Sequence, residues 1–299
     1  MDKRLILNAD DLGYDEQTNE AVETLLRGGY ITSASLLAPG PAAEDAVRRV
    51  KRLGAAVGAH LCLTSDDKTA CWRSLSDGRS FRGTLPYALT DLTCGATRRD
   101  VRAELFAQLA FLKARGCRID HADAHAGALY GLAGRRFYLD AFDLAAKAGL
   151  PFRLPKTPGF FLRQTGEKAA PAVKALHGAL LRQANKRRLL LPDDVFSDPR
   201  APAAIKDRDD LFACYLGAVE RCGPGVTELF LHPRMDDAAP GTAWKKRQWE
   251  FELLLSGRLQ QRAKQCGVRV VSPGEAYARG PGSRPFQTFR LDFPTEIGL

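Results

Sequence analysis

The strongest constraint on the fold is the alternation of short apolar segments with segments that carry apolar residues at helical spacing. The segments typical of buried β-strands are Arg4–Asn8, Ile31–Leu37, Ala56–Leu63, Arg118–Asp123, Leu150–Leu154, Val226–Leu231 and Val268–Ser272. Between the first two, apolar residues from Ala21 to Leu26 recur at helical spacing, and Gly28 would end that helix. Strands that are apolar on both faces and alternate with helices predict a parallel sheet covered by helices.

About seven such strand–helix units in 299 residues predict a (β/α) barrel of the TIM type, seven-stranded or distorted. A doubly wound sheet is the alternative, although no G-x-G-x-x-G follows the first strand. The segments 66–95 and 157–204 interrupt the alternation, and we interpret them as insertions at the C-terminal face of the barrel, where loops carry function. The chain is therefore predicted to form a single domain over residues 1–299.

The net charge of +9 is partly local, because eight Lys or Arg and one acid, Glu167, lie between Lys156 and Arg188. Such a segment can favour an anionic substrate or surface, but a solvated helical face is the simpler interpretation. No aromatic residue interleaves with the basic ones from Ala170 to Leu191, which argues against a nucleic-acid partner. His177, within this segment, is predicted to lie at the surface.

Three further features exclude other classes of protein. No run of about 18 apolar residues occurs, so we expect no membrane span. The start, MDKRLIL, lacks the apolar stretch and cleavage site of a signal peptide, and we expect a cytoplasmic location. None of the seven cysteines forms a C-x-x-C pair, which favours reduced thiols over disulfides or a structural zinc site. The oligomeric state stays open, with a homodimer as one option.

Polar residues gather at the ends of the predicted strands. They are Asp10 and Asp11 after the first strand, His60 in the third, His121, Asp123 and His125 in and after the fourth, and His232 after the sixth. Because residues two apart share one face of a strand, the three in the fourth strand would point the same way. The carboxyl ends of parallel strands meet at one mouth of a barrel, where active sites lie.

Two adjacent carboxylates at such a mouth repel each other unless a cation or a proton compensates. Each residue alone has a simpler explanation, since a strand histidine can be a hydrogen-bonded core residue and an Asp can cap the next helix. Together, Asp10, Asp11, His60 and His125 favour a divalent metal bound by nitrogen and oxygen. Spacing alone does not decide which of the two aspartates binds it.

Four motifs resemble those of the YdjC-like carbohydrate deacetylases. They are NADDLG with the following N-E-A and ITSASLL, then VGAHLCLTS, HADAHAGALYG, and TELFLHP with Arg247 and Glu252 further on. They occur in order from Leu5 to about Ser272. The resemblance implies a (β/α) barrel related to the NodB-like polysaccharide deacetylases. It also implies hydrolytic removal of the N-acetyl group from amino sugars such as chitooligosaccharides.

The same resemblance implies that Asp11, His60 and His125 bind one divalent metal ion, with Asp10 as general base and His232 as general acid. Nitrogen-rich ligation favours Zn²⁺, Mn²⁺ or Co²⁺, while the family is also associated with Mg²⁺.

The chain departs from the usual family motifs in two places. Ala126 and Gly127 stand where the D-S-H-H-H run has its second histidine, and Arg234 replaces the glycine of H-P-G. Both departures leave the metal ligands intact and bear on the substrate pocket.

Other residues are candidates for support and for substrate binding. Asp123 could accept the ring N–H of a ligand histidine, with His121 beside it, or both could form structural hydrogen bonds across the barrel. Four residues could contact the sugar, although the two aromatic ones could instead pack on the barrel rim: Arg153, Lys156, Trp72 and Tyr130. Cys62 is expected to be a buried, inert thiol rather than a zinc ligand.

Three other functions compete with deacetylation. His121-x-Asp123 with His232 matches the spacing of a 2-His-1-carboxylate iron oxygenase, but it leaves Asp10 and Asp11 unexplained. A metal-dependent glycan-binding protein without turnover and a metal-dependent phosphoesterase are the remaining alternatives.

Overall fold

The computed structural model of the protein describes residues 2–131, 135, 137–166, 170–235 and 242–278. Its strands are β1 (Lys3–Leu12), β2 (Ser33–Leu36), β3 (Ala56–Leu61), β4 (Arg118–Ala124), β5 (Asp194–Phe196), β6 (Gly225–Leu231) and β7 (Arg269–Val270). Its helices are α1 (Glu16–Arg27), α2 (Ala43–Leu53), α3 (Leu89–Gly95), α4 (Arg98–Ala114), α5 (Tyr138–Ala148), α6 (Gly159–Thr165), α7 (Ala170–Lys186), α8 (Arg208–Glu220), α9 (Thr242–Leu255), α10 (Arg258–Gln265) and α11 (Pro273–Ala276). Glu167 and Lys168 of the basic segment lie outside the described residues.

The described strands form one sheet in the order β4-β3-β2-β1-β6-β5, and β7 also pairs with β1. Every strand pair is parallel, which confirms the predicted α/β class. The strand predicted at Leu150–Leu154 appears only as a bridge between Phe152 and Ala122. β5 was not predicted and lies within the segment 157–204.

The segment around Phe152 forms backbone hydrogen bonds with β4 on one side and with Leu190, four residues before β5, on the other. On one side, Ala122 N donates to Pro151 O at 2.9 Å and Arg153 N donates to Ala122 O at 3.0 Å. On the other side, Phe152 N donates to Leu190 O at 3.0 Å. These hydrogen bonds do not form a continuous strand, so a fully closed barrel of the TIM type stays a prediction.

The two faces of β1 differ in character. Leu5, Leu7 and Ala9 pack in the main apolar core, whereas Ile6 belongs to a small separate cluster. Since side chains alternate along a strand, the residues after Ile6 on its face are the polar Asn8 and Asp10. Polar side chains on that face of the central strand therefore approach those that neighbouring strands contribute.

The surface position predicted for His177 is wrong. The side chain is buried, its Nε2 lies 2.9 Å from Pro155 O, and its ring packs on Phe161. Val173, His177, Leu180 and Ala184 form the buried stripe of α7 at helical spacing. The basic side chains of α7 point the other way, in agreement with a solvated helical face.

Among the described helices, none is both long and apolar enough to cross a membrane.

Gly58→Ala should destabilise the protein, because an added Cβ would overlap the ring of His121 on the neighbouring strand. We expect a loss of about 1–3 kcal/mol in the free energy of unfolding, the usual cost of overpacking a core. Urea denaturation would measure it. The control is Gly95→Ala at the end of α3, where an added Cβ meets nothing within 4 Å. Equal stability of the two variants would contradict the prediction.

Candidate metal-binding and catalytic site

A bulge in β1 brings the side chains of Asp10 and Asp11 into one cavity. In a regular strand, neighbouring side chains point to opposite faces. Between Ala9 and Leu12, however, β1 contains one residue more than the paired segment of β2, and Asp11 has a left-handed φ of 66°. Asp is one of the few residue types that tolerate this conformation, and bulges commonly redirect side chains near active sites. Both carboxylates therefore line the cavity.

Neither aspartate serves as the N-cap of α1, the simpler role considered for them. That position is taken by Asp15, whose side chain accepts a hydrogen bond from Thr18 N at 2.7 Å. The two carboxylates are thus left for the cavity.

Asp11, His60 and His125 converge as predicted. Asp11 Oδ1 lies 3.3 Å from His60 Nε2 and 3.2 Å from His125 Nδ1. All three side chains are buried, and their ligand atoms lie within 4.8 Å of one another. One carboxylate oxygen and two imidazole nitrogens form a donor set suited to a divalent transition metal. The residues therefore fit such an ion.

A second group of described residues also has ligand spacing, namely Asp10, His60 and Asp123. The guanidinium of Arg153 already bridges its two carboxylates, at 2.7 Å from Asp10 and 2.6 Å from Asp123. This makes the Asp11 group the better cation site. His121 and His232 belong to neither group, so the residues of the iron oxygenase pattern are not brought together as ligands.

The carboxylates around the two histidines favour positive charge in this part of the cavity. Burial alone would lower the pKa of His60, but Asp123, Asp10 and Asp11 raise it to about 10. For His125, burial is likewise outweighed by Asp11 and Asp66, which raise the pKa to about 9. Ring nitrogens that bind protons this strongly could also bind a metal cation, which would displace those protons.

Other side chains orient the candidate ligands. His60 Nδ1 lies 2.6 Å from Asp123 Oδ1, so the contact predicted between Asp123 and a ligand histidine is present. Arg247 donates to Asp11 Oδ2 at 2.7 Å. Burial would raise the pKa of Asp11, yet Arg247 and the two histidine rings hold it well below its usual range. His121 lies one step further away, 3.8 Å from Asp123.

Asp10 is held by a buried arginine. Arg153 donates from two nitrogens to the two oxygens of Asp10, each at 2.7 Å, and Asn8 Nδ2 donates to Asp10 Oδ1 at 2.6 Å. The Nε of Arg153 donates to Glu228 at 2.7 Å. Arg153 lines the cavity but is only 4% exposed, so its predicted contact with the sugar stays a prediction.

His232 follows β6 and faces Asp10, with 4.0 Å between its Nε2 and Asp10 Oδ2. Glu250 lies behind it, accepting from His232 N at 2.8 Å and from the Tyr215 hydroxyl at 2.7 Å. Burial lowers the pKa of His232, while Asp11, Asp10 and Glu250 oppose that shift. Sequence reasoning missed Glu250 and named Glu252, which instead approaches Arg208 at 3.5 Å.

A sequence signal for Glu250 exists, because it lies three residues after Arg247 and therefore on the same side of α9. No comparable signal marks Asp66, which follows β3 in the segment 66–95 and contacts His125.

The cavity has a volume of about 340 Å³ and one wall that is largely aromatic. That wall is formed by Tyr130, Phe160, Phe161 and Phe230. Tyr130 also donates its hydroxyl proton to Arg153 O at 2.6 Å.

The two other residues predicted to contact the sugar are not part of the described cavity lining. Trp72 is buried. The centroid of its ring lies 5.6 Å from the ring centroid of His125 and 5.5 Å from that of Tyr14. Lys156 binds Asp193 at 2.7 Å at the surface. A role for either in sugar binding stays a prediction.

The departures from the family motifs lie in and beside the cavity. Ala126 and Gly127 line it with left-handed φ values of 49° and 69°. Arg234 donates to Asp15 at 3.0 Å and lies over the ring of Trp244. Cys62 donates to Thr64 O, and burial raises the pKa of its thiol well above the usual range, as expected of an inert thiol.

These features define an α/β protein with a candidate metal centre, a carboxylate and a histidine at the carboxyl ends of its parallel strands. The chain belongs to the YdjC-like family, whose model matches residues 4–265.

Relatives and solved structures extend this result. A carbohydrate deacetylase of Geobacillus stearothermophilus is 29% identical over 287 residues, which cover 93% of this chain and 99% of the relative. A carbohydrate deacetylase of Brevibacillus brevis is 36% identical over 128 residues, 41% of this chain and 48% of the relative. A proposed cellobiose-phosphate cleavage protein of Enterococcus faecalis shares the fold, with a TM-score of 0.69 and 20% sequence identity. The match covers 92% of this chain and 99% of the Enterococcus chain.

Metal affinity should rise with pH. The pKa values of about 10 for His60 and about 9 for His125 keep both rings protonated in the metal-free protein at neutral pH. A metal ion must displace these protons, so its apparent Kd should fall roughly tenfold or more per pH unit above neutrality. Calorimetry with Co²⁺ in two buffers of different ionisation enthalpy would measure the affinity and the protons released. A Kd independent of pH would contradict this.

Arg153→Met should be strongly destabilising, because it leaves three buried carboxylates without their shared counter-charge. We expect a loss of about 3–5 kcal/mol in the free energy of unfolding, measured by urea denaturation. The matched control is Arg187→Met, which removes a half-buried pair with Asp143 and should cost about 1 kcal/mol or less. Similar losses in the two variants would count against a central role for Arg153.

Proposed function

We propose that this protein is a metal-dependent hydrolase that removes the acetyl group from an N-acetylated amino sugar, such as a chitooligosaccharide or another glycan containing N-acetylglucosamine. One observation carries the proposal: the group Asp11–His60–His125 shares a cavity with Asp10 and His232. The full-length match to a relative named carbohydrate deacetylase supports the substrate class.

Asp11, His60 and His125 would hold the divalent ion. Bound there, the ion would polarise the acetyl carbonyl and lower the pKa of water at the site. Two nitrogens and one oxygen suit Zn²⁺, Mn²⁺ or Co²⁺, and Mg²⁺ is included because of the family.

Asp10 acts as the general base. Its two oxygens are fixed by Arg153 and Asn8, so the carboxylate keeps one orientation in the cavity. A base held in this way can take a proton from the water that attacks the acetyl carbon, without first reorganising. Arg153 contributes to this proton transfer only indirectly, because it holds the Asp10 carboxylate in position.

His232 acts as the general acid. It lines the same cavity as the metal group, and its side chain is more exposed than that of Asp10, at 31% against 3%. It is therefore the group that can reach the departing nitrogen near the mouth. When the C–N bond breaks, His232 donates a proton to that nitrogen, which leaves a free amine and acetate.

The aromatic wall offers apolar faces on which a sugar ring can stack, with Tyr130 as the residue predicted for this contact. Ala126 and Gly127 carry no large side chain, so the cavity beside His125 has room for a substituent on the sugar.

Asp10→Asn and His232→Gln should each lower kcat/KM for acetate release by about 10²–10⁴-fold, the usual contribution of a positioned base or acid. Acetate release from a panel of N-acetylated mono-, di- and lipid-linked sugars, with each divalent metal supplied, would measure this. Chelation should abolish release and added metal should restore it. Glu252→Gln, at a carboxylate that approaches Arg208 and is not among the described residues that line the cavity, is the control and should retain activity.

No acetate from any sugar with any metal would contradict the proposal. If the parent also bound the sugars, and Asp10→Asn bound them equally well, a glycan-binding protein without turnover would be the better interpretation.

A further inference from the structure

The two histidines of the candidate metal group are each paired with a carboxylate, but through opposite ring nitrogens. His60 turns Nδ1 to Asp123 at 2.6 Å and Nε2 to Asp11 at 3.3 Å. His125 turns Nε2 to Asp66 at 3.0 Å and Nδ1 to Asp11 at 3.2 Å. Asp66 thus contacts the nitrogen of His125 that faces away from Asp11, as Asp123 does for His60.

The two supporting carboxylates differ in their surroundings. The side chain of Asp123 is fully buried on β4, whereas that of Asp66 is 31% exposed and belongs to the segment that follows β3. Asp66 lies outside the residues that the sequence motifs single out.

Local hydrogen bonds hold the backbone around Asp66 in place. Ser65 Oγ donates to Asp67 O and accepts from Trp72 N, both at 3.1 Å. Asp67 accepts from the backbone of Thr69 at 2.7 Å and forms an Asx turn. The backbone that carries the Asp66 side chain is therefore held by hydrogen bonds within its own segment.

The same segment also contacts the His125 ring through Trp72, with 5.6 Å between ring centroids and 39° between the ring planes. The ring of His125 is consequently restrained by the contact with Trp72 and by Asp66 at Nε2. Its Nδ1 is left to face Asp11, where the metal ion would bind.

We propose that Asp66 is a positioning residue of the metal centre: it accepts the Nε2–H of His125 and so fixes the tautomer in which Nδ1 carries the lone pair for the metal. The inference rests on the metal-dependent function proposed above. A carboxylate on the far nitrogen orients a ligand histidine and increases its basicity. The two histidines then bind the metal through different atoms, His60 through Nε2 and His125 through Nδ1.

The first test is metal affinity. Asp66→Ala should weaken Co²⁺ binding by about 10–100-fold, the usual cost of losing such a partner. Asp66→Asn keeps an acceptor oxygen without the charge and should weaken it less. The control is Asp77→Ala, an exposed carboxylate of the same 66–95 segment. Competition with a chromophoric chelator would measure each Kd, and thermal unfolding of the metal-free proteins would verify that each variant folds.

The second test is the tautomer of each ring in the Zn²⁺-loaded parent, read from ¹⁵N-histidine NMR spectra. We expect a proton on Nε2 of His125 and on Nδ1 of His60. A proton on Nδ1 of His125 would overturn the proposal even if Asp66→Ala failed to fold.

Failure of this inference is distinguishable from failure of the proposed function. A parent that binds metal and releases acetate, with Asp66→Ala binding as tightly as Asp77→Ala, overturns the role of Asp66 alone. A parent that binds no divalent metal overturns both.

Discussion

The cavity depends on one buried guanidinium. Arg153 lies among Asp10, Asp123 and Glu228, which come from β1, β4 and β6 and would repel one another in the protein interior. Because a guanidinium is planar and donates in fixed directions, it sets the orientation of each carboxylate as well as offsetting its charge. The proposed base and the partner of His60 are therefore held by the same group. The proposed proton transfer and the proposed metal binding would therefore depend on the same side chain.

Much of the site could be predicted from the sequence, because strand periodicity and the convergence of parallel strand ends are local or general rules. They were enough to bring together Asp11, His60 and His125. Such a pattern does not predict the backbone conformation of a single residue. Strict alternation would send Asp10 and Asp11 to opposite faces, and only the left-handed φ of Asp11 brings both to the cavity. The division of roles between them came from family resemblance.

Other features could not be predicted from the sequence, because they depend on tertiary contacts between distant segments. Asp66 meets His125 across 59 positions of sequence, and the conformation of the intervening segment decides that contact. β5 is a strand of three residues, too short for periodicity to detect. His177 shows the opposite failure: a basic segment suggested the surface, but the apolar stripe of α7 determines which of its residues are buried.

The candidate metal ligands come from β1, from β3 and from the turn after β4, so no continuous segment of the chain carries the site. An unfolded chain would offer isolated histidines and carboxylates, with none of the spacing that a metal ion requires. The free energy of metal binding would then belong to the folded sheet as a whole, and metal concentration would contribute to its thermodynamic stability through linkage. In a cell, the supply of metal would influence how long the protein persists as well as how fast it works.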